Sequence, residues 1–502
     1  MELKTARSVP VLVGQAQILQ REDDLSRARG PVDLMADAVC AAFDDASCGI
    51  PNDVDAIYVL RSLSTKSHNP ALAIARSLGI TSKVYGYTTH GGNLPQALVN
   101  SSALDIQAGR ADLVVLTGGE SSRSRRRAKT SGETLDWMVE DPSNRDDPQP
   151  TNVGGDLEML HPLEIERKVV LPIEIYPMFE TALRAAHGMT VEQHRAHVGA
   201  LWSRFSEVAA SNPFAWTQTK FTSDEIVTPT AANRMVGYPY TKMMNSNNDV
   251  DMAAALVMCS VEKAISLGIP RDRWVFPIAG TDAHEHNYVS HRWSFVDTPA
   301  IRIGAQRLFD LTGWTPHELD VVDVYSCFPS AVQLGAASIG LSLDQRLTCT
   351  GGLPFAGGPF NNYVMHAIAT TMIELRRRAD GKGFVWANGG YATKHSFGAY
   401  QVDDPRHPFL HDSPQDAVDA LPARRAASAG DAAGDVTIEA YSVMHDRDGS
   451  PARLAAAVLT DDGVRSWGVS TDSGLLAHCI ANDAVGERLV LSPTGDLVER
   501  RS

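Results

Sequence analysis

A histidine followed by two glycines stands in the stretch "TTHGGNLPQALVNSS", residues 88–102. The preceding residues are typical of a strand and the following ones of a helix, so His90 marks a strand-to-helix junction. Free N–H groups at a helix N-terminus suit a carbonyl oxygen or an anion, and Gly91 and Gly92 allow close approach to the backbone. Because the helix dipole disfavours a cation there, we expect a neutral His90 that accepts a proton or polarises a ligand, with a purely structural histidine as the alternative.

Three further side chains could serve as acids, bases or hydrogen-bond donors beside His90. Tyr325, at the end of a predicted strand in "VDVYSCF", could donate to a carbonyl or could be a core tyrosine. His366 in "NNYVMHAIA" is predicted on a helix, where a core role is the alternative. Lys394 and His395 in "GGYATKHSF" could point into the same pocket or form a solvated loop pair.

The cysteines do not form a recognisable metal or disulfide pattern. Six cysteines are scattered without CxxC spacing, mostly within hydrophobic runs, which favours reduced and buried thiols. His284, His286 and His291 could be spaced for a metal, but neither a CxxC nor an HExxH context accompanies them, so we predict no metal site.

Composition excludes some classes of ligand. The chain of 502 residues has a formal net charge of −15, which argues against nucleic-acid binding because neutralising phosphates needs a basic surface. No run of 18 apolar residues and no signal-length stretch occurs, so we expect no membrane span and a cytoplasmic location.

The order of predicted elements indicates a layered α/β protein with a loop-rich insertion. Strands and helices alternate, a polar region interrupts them, the alternation returns, and short strands with turn signals close the chain. The predicted units are a first half at 1–120, a loop insertion at 121–249, a second half at 250–402, a linker at 403–435 and a small antiparallel β-barrel at 436–502.

Five sequence motifs, in order and spacing, resemble the thiolase superfamily. They are "LTGGE" at 116–120, "VDMAAALVM" at 250–258, "YSCFPSA" at 325–331, "GGLPFAGGP" at 351–359 and "ANGG" at 387–390. The chain resembles thiolase-like proteins of the sterol-carrier-protein-type branch, with an extra C-terminal β-domain. The resemblance implies a thiolase fold, in which two duplicated βαβαβ halves form α/β/α/β/α layers with a loop-domain insertion and a small all-β C-terminal barrel.

The family's catalytic residues are replaced in this chain. Family thiolases use a nucleophilic cysteine, a second cysteine in a CxG motif, and His or Asn side chains from NEAF/HDCF and GHP motifs. By resemblance these positions hold His90, Ala387, Tyr325 and Gly358. An acyl-imidazole hydrolyses readily, so we predict neither thiolysis nor Claisen condensation. Cys327 or Cys349 as an unrecognised nucleophile is the alternative of a true acyltransferase.

The resemblance implies coenzyme A or acyl-CoA as a ligand that is not covalently bound. Arg123 and Arg125, in the run after "GGESS", are candidates for its phosphates, with a solvated charged loop as the alternative. Gly357 and Gly358 are further candidate binding residues, with tight turns as the alternative.

Two functional classes remain open from the sequence. The leading hypothesis is a thiolase-like protein that acts on a CoA-linked or carbonyl substrate through His90, Tyr325, His366 and His395. The alternative is a non-catalytic acyl-CoA-binding or scaffold protein with the β-domain as partner module. Thiolases dimerise across the strand before the nucleophile helix, but Gly86 within "VYGYTT" would weaken such pairing, so a monomer is also possible.

Overall fold

The computed structural model describes residues 8–137 and 147–499. Residues 138–146 of the predicted loop insertion and both chain ends lie outside the described residues. The strands are β1 (Pro10–Leu19), β2 (Asp53–Val59), β3 (Thr81–Thr88), β4 (Leu113–Ser121), β5 (Thr151–Val153), β6 (Met235–Tyr238), β7 (Tyr240–Thr241), β8 (Asp251–Ser260), β9 (Phe276–His284), β10 (Val321–Val324), β11 (Lys382–Gly389), β12 (Lys394–Gln401), β13 (Leu410–Asp412), β14 (Gly434–His445), β15 (Pro451–Leu459), β16 (Arg465–Ser470), β17 (Arg488–Leu491) and β18 (Leu497–Glu499).

The helices connect these strands and cover their faces. They are α1 (Pro31–Asp45), α2 (Pro70–Leu78), α3 (Leu94–Gln107), α4 (Ser122–Ser131), α5 (Pro162–Glu166), α6 (Pro172–Ala186), α7 (Val191–Ser211), α8 (Ser223–Val227), α9 (Val261–Ser266), α10 (Pro299–Thr312), α11 (Pro329–Ile339), α12 (Gly352–Phe355), α13 (Tyr363–Arg376), α14 (Gln415–Asp419) and α15 (Ser473–Ala481). Across the described ranges, none of these helices is long and apolar enough to cross a membrane.

Two sheets and three helical layers form the body of the molecule. The first sheet has the order β1-β8-β4-β2-β3-β5 and the second the order β10-β11-β12-β9-β13. Helices α3 and α13 contact both sheets and form the central layer, while α1 covers the first sheet and α10 the second. This arrangement confirms the predicted thiolase fold with its α/β/α/β/α layers.

The core of the first sheet follows from its sequence. Every residue of β8 is buried, as expected for an apolar strand that lies between two neighbours and under two helical layers. Gly14 lies at a register shift of β1 and lets α1 pack directly on β1, because a Cβ at residue 14 would lie 2.1 Å from the Ala42 carbonyl oxygen.

Two strands near the predicted unit boundaries pair with strands on the other side of those boundaries. Strand β8, assigned from sequence to the second half because the strand-helix pattern returns there, pairs with β1 and β4 of the first sheet. Strand β13, which lies within the predicted linker, pairs with β9 of the second sheet. An apolar run predicts a buried strand but carries no information about its sheet, which explains the β8 assignment.

The C-terminal unit is built on a seven-stranded sheet. The main order is β16-β15-β14-β17-β18, and β6 and β7 from the loop region join it through β14. The Val469 amide donates to the Gly495 carbonyl at 2.9 Å, which brings the two end strands together. The predicted antiparallel strands are confirmed, and the unit also contains helix α15, which the sequence pattern did not predict. Closure into a barrel stays a prediction.

Candidate functional site

A cavity of about 840 Å³ opens where strands of both sheets end. One wall combines the β3–α3 connection with the end of β10 and the end of β11. β3 and β2 run parallel, as do β10 and β11, and the carboxyl ends of parallel strands are the usual place for a ligand site. The remaining lining combines the polar run at 245–249 with apolar side chains that include Met159, Leu171, Trp216, Phe221, Phe355 and Phe360.

His90 lies on this wall in the connection between β3 and α3. The helix begins only at Leu94, whose amide donates to the Gly91 carbonyl at 3.1 Å, so a short turn separates His90 from the first helical turn. The imidazole is exposed and has no hydrogen-bond partner among the described residues. Burial of the ring's surroundings, followed by the positive charges of Arg61 and Lys394, lowers the pKa of His90 below its ordinary value. The ring is therefore neutral at neutral pH and available as a base.

The two glycines that follow His90 differ in their hydrogen bonding. The Gly91 amide donates to Asn361 Oδ1 at 3.0 Å, so it is not available to a ligand. The Gly92 amide has no partner within the described chain. Of the two backbone donors that the sequence predicted at this junction, one remains open.

Tyr325 supplies a second donor directly beside Gly92. A Cβ on residue 92 would lie 2.5 Å from the Tyr325 hydroxyl and 2.5 Å from the Asn388 carbonyl oxygen, so only glycine fits there. The Tyr325 hydroxyl has no hydrogen-bond partner in the described part of the chain. Burial raises the pKa of this phenol, which keeps it protonated. The Gly92 backbone and the Tyr325 hydroxyl thus lie close together on the cavity wall, and neither the amide nor the hydroxyl has a partner among the described residues.

Asn388 is a lining residue that the sequence analysis missed. By resemblance the CxG position falls on Ala387, but Ala387 is fully buried and Asn388 lines the cavity instead. Asn388 Nδ2 donates to the Tyr176 hydroxyl at 3.0 Å, and that hydroxyl donates to the Gly390 carbonyl at 3.1 Å. Adjacent strand residues face opposite sides of a sheet, so the period of two could have identified Asn388.

His366 and His395 do not reach the cavity that holds His90. His366 lies in the core, where its Nδ1 pairs with Gln17 Oε1 at 3.0 Å and burial lowers its pKa to about 3. His395 Nδ1 accepts from Trp386 Nε1 at 3.3 Å, and burial lowers its pKa to about 3. His395 borders a separate cavity of about 360 Å³. For His366 the structure favours the core alternative, and His395 is buried in β12 rather than in a solvated loop. A buried neutral imidazole is a poor proton acceptor.

Of the two arginines predicted to bind coenzyme A, only Arg123 lines the cavity. Its guanidinium, however, donates to the Glu22 carbonyl at 2.9 Å and to Asp23 at 2.5 Å. Arg125 donates to the Leu63 carbonyl and lies outside the lining.

Gly357 and Gly358, which follow helix α12, lie outside the described lining. Gly357 has φ 110°, and the Gly358 amide donates to the Asn247 carbonyl at 2.9 Å. Lys242, which the sequence analysis did not select, lines the cavity with an exposed side chain.

Neither candidate cysteine carries a thiolate at neutral pH. Cys327 lines the cavity, and burial raises its pKa to about 12. Cys349 is buried beside Asp323 outside the lining, and burial raises its pKa well above the ordinary value. The thiolate is the nucleophilic form, so both sites suit a structural thiol. Over the ranges that the structure describes, no group of three His, Cys, Asp or Glu residues could hold a metal.

Comparisons with known proteins agree with this fold. The family model of the thiolase-like protein type 1 additional C-terminal domain matches residues 414–496. A solved structure, the monomeric SCP2-thiolase like protein type 1 from Mycobacterium smegmatis, is 28% identical with a TM-score of 0.84, covering 98% of this chain and 99% of that one.

More distant relatives share the fold alone or match only in part. The Ltp2-ChsH2(DUF35) aldolase is 19% identical with a TM-score of 0.60, over 79% of this chain and 98% of that one. Acetyl-CoA acetyltransferase from Syntrophomonas wolfei is 18% identical with a TM-score of 0.53, over 79% of this chain and 100% of that one. Acetyl-CoA acetyltransferase of Methanocaldococcus jannaschii is 23% identical over 155 residues, 31% of this chain. The match spans only 37% of that relative's length.

The layered fold, the additional C-terminal domain and the full-length similarity to a thiolase-like protein lead to one assignment. The chain is a thiolase-like member of the thiolase superfamily that carries the additional C-terminal domain.

Proposed function

We propose that the cavity binds the carbonyl group of an acyl thioester, or of a related carbonyl compound, and that the protein acts on it by proton transfer without an acyl-enzyme. The observation that carries this proposal is the close approach of the Gly92 backbone to the Tyr325 hydroxyl, each with an unused donor, on the wall that presents His90. A carbonyl oxygen between the two donors would be polarised, and negative charge that develops on it would be stabilised.

His90 is the proton acceptor in this scheme. A neutral imidazole takes a proton from the carbon next to the carbonyl, and the electron pair of that C–H bond moves to the oxygen held by Gly92 and Tyr325. The lowered pKa of His90 keeps the ring unprotonated before the transfer. No bond between the protein and the acyl group forms or breaks, which is compatible with the protonated thiol of Cys327.

The cavity also supports the class of ligand. Its volume of about 840 Å³ and apolar lining suit an acyl group. Lys242 lines the cavity, is exposed and forms no ion pair among the described residues, so it could meet a phosphate of coenzyme A, whereas Arg123 is already neutralised by Asp23.

Names of similar proteins give further support. Acetyl-CoA acetyltransferases appear among them, which favours a CoA thioester as the ligand. Another is named an aldolase, and aldol chemistry can proceed by proton transfer beside a polarised carbonyl.

The test separates binding, proton transfer and acyl transfer. Butanoyl-CoA is incubated with the protein in deuterated water, and mass spectrometry follows deuterium at the carbon next to the thioester. We expect deuterium incorporation with the unmodified protein and none with His90→Gln. Calorimetric binding without incorporation would favour a non-catalytic binding protein, and a stable acyl adduct in the intact mass of the protein would overturn the proposal.

A further inference from the structure

A single peptide group next to His90 is held at both of its polar atoms. Its carbonyl oxygen, that of His90, accepts from Lys394 Nζ at 2.5 Å, and its N–H, that of Gly91, donates to Asn361 Oδ1 at 3.0 Å. The two side chains lie 304 and 270 residues further along the chain, and both come from the second half. The first half thus supplies the peptide group, and the second half fixes its orientation.

Asn361 is itself fixed in one orientation. Its Nδ2 donates to the Arg61 carbonyl at 2.8 Å, so the amide oxygen is the atom that faces Gly91. The residue before it, Phe360, has φ 45°, a backbone conformation that is costly for a residue with a side chain. Such a conformation persists only where surrounding contacts hold the backbone in place. Here the strained residue directly precedes Asn361, which bonds to the His90–Gly91 peptide.

Lys394 reaches the same peptide from a rigid strand. It belongs to β12, where it pairs with Gly389 of β11 and His284 of β9, and its side chain is buried. Little room remains at Gly91, since a Cβ there would lie 2.5 Å from Asn93 Oδ1 and 3.1 Å from Lys394 Nζ. The peptide group therefore cannot rotate without breaking at least one of its two hydrogen bonds.

This restraint has consequences for both neighbouring groups. Fixing the His90–Gly91 peptide sets the direction of the next N–H, that of Gly92, and the position of the imidazole. The charged groups that act on His90 are Arg61, Asp156 and Lys394, and both cations disfavour its protonation.

We propose that Lys394 and Asn361 are positioning residues, which hold the His90–Gly91 peptide so that the Gly92 amide and the His90 ring stay on the cavity wall. Their role in catalysis rests on the proposed function, but the restraint itself exists in the ligand-free protein and can be measured there.

Hydrogen–deuterium exchange of the whole protein tests the Asn361 contact. In Asn361→Ala the Gly91 amide loses its acceptor, and we expect exchange at least tenfold faster in peptides covering residues 86–96. Asn362→Ala is the matched control, because Asn362 donates to the Gly118 carbonyl instead and leaves Gly91 bonded. Unchanged exchange in Asn361→Ala, or an equal increase in Asn362→Ala, would overturn the assignment.

The titration of His90 tests the Lys394 contact. Nuclear magnetic resonance of ¹³C-labelled histidine, with the His90 signal assigned from His90→Gln, gives its titration midpoint without ligand. We expect Lys394→Met to raise the midpoint, because a nearby cation is removed, and Lys394→Arg to restore it. An unchanged midpoint in a folded Lys394→Met protein contradicts the proposal.

The two proposals fail in different ways. If Lys394→Met does not fold, the exchange result for Asn361→Ala decides. Failure of the unmodified protein to bind butanoyl-CoA would overturn the proposed function and leave both ligand-free results standing.

Discussion

Two buried polar groups at the end of β10 lie two residues apart and differ in their hydrogen bonds. The Asp323 carboxylate accepts from the Thr348 hydroxyl at 2.9 Å, the Tyr363 hydroxyl at 2.9 Å and the Cys349 amide at 3.0 Å. The Tyr325 hydroxyl accepts from and donates to none of the described residues, although Tyr325 is only 8% exposed. Both groups are buried, so unused hydrogen-bonding capacity is what separates the ligand site from the structural cluster.

The largest loss of stability is expected from a substitution of Asp323, whose hydrogen bonds are all made within the core. Asp323→Ala leaves the donors of Thr348, Tyr363 and Cys349 without their acceptor in the core, and each unsatisfied buried group costs about 1–3 kcal/mol. We expect a loss of about 3 kcal/mol or more in the free energy of unfolding, measured by urea denaturation. A loss below about 1 kcal/mol would show that the cluster does not stabilise the fold.

The opposite pattern is expected for Tyr325. Tyr325→Phe removes a hydroxyl without a protein partner, so the free energy of unfolding changes by less than about 0.5 kcal/mol. Binding of butanoyl-CoA weakens about tenfold because one hydrogen bond of about 1.4 kcal/mol is lost.

Tyr363→Phe is the matched control, since its hydroxyl donates to Asp323 and lies outside the cavity lining. We expect it to lower stability by about 1–3 kcal/mol and to leave the affinity for butanoyl-CoA largely intact. The comparison between the two regions breaks if Tyr325→Phe destabilises the protein and Tyr363→Phe impairs binding.

The pH dependence of proton transfer tests whether His90, on the cavity wall, is the base. The pKa of His90 is lowered, so the neutral base is fully present above its ordinary value of about 6.5 and is lost as pH falls through the lower, folded-state value. Deuterium incorporation into butanoyl-CoA is expected to be constant from about pH 7 to 8 and to fall about tenfold per unit below the folded-state pKa. A rate that increases as the pH falls would exclude His90 as the base.

For the state of association we expect no change with protein concentration. Strand β5 pairs with the end of β3 through Thr151, Asn152 and Val153, and so covers the edge across which the sequence analysis expected family dimers. We predict a mass near 54.2 kDa by light scattering at all concentrations tested. Twice that mass would show that another surface associates.

Much of the fold was predictable because its signals are local. Alternating apolar strands and helices, together with motifs such as "YSCFPSA", predicted the layers, and the same stretch placed Tyr325 on the cavity. The sheet of β8 was not predictable, since apolarity indicates burial without naming the neighbour.

The site was predictable only where one segment supplies it. His90 and Gly92 come from one junction, whereas Asn361 and Lys394 act through contacts across about 300 residues that no local pattern encodes. His366 and His395 were selected because a core histidine and a pocket histidine have the same sequence signature; only their burial distinguishes them.

The most direct test of the central claim is a crystal structure of the protein with butanoyl-CoA. The thioester oxygen is predicted within about 3 Å of both the Gly92 amide nitrogen and the Tyr325 hydroxyl, with His90 beside the neighbouring carbon and no covalent bond to the protein. A butanoyl group attached to Cys327 or to any other side chain, or a thioester oxygen remote from both donors, would contradict the account.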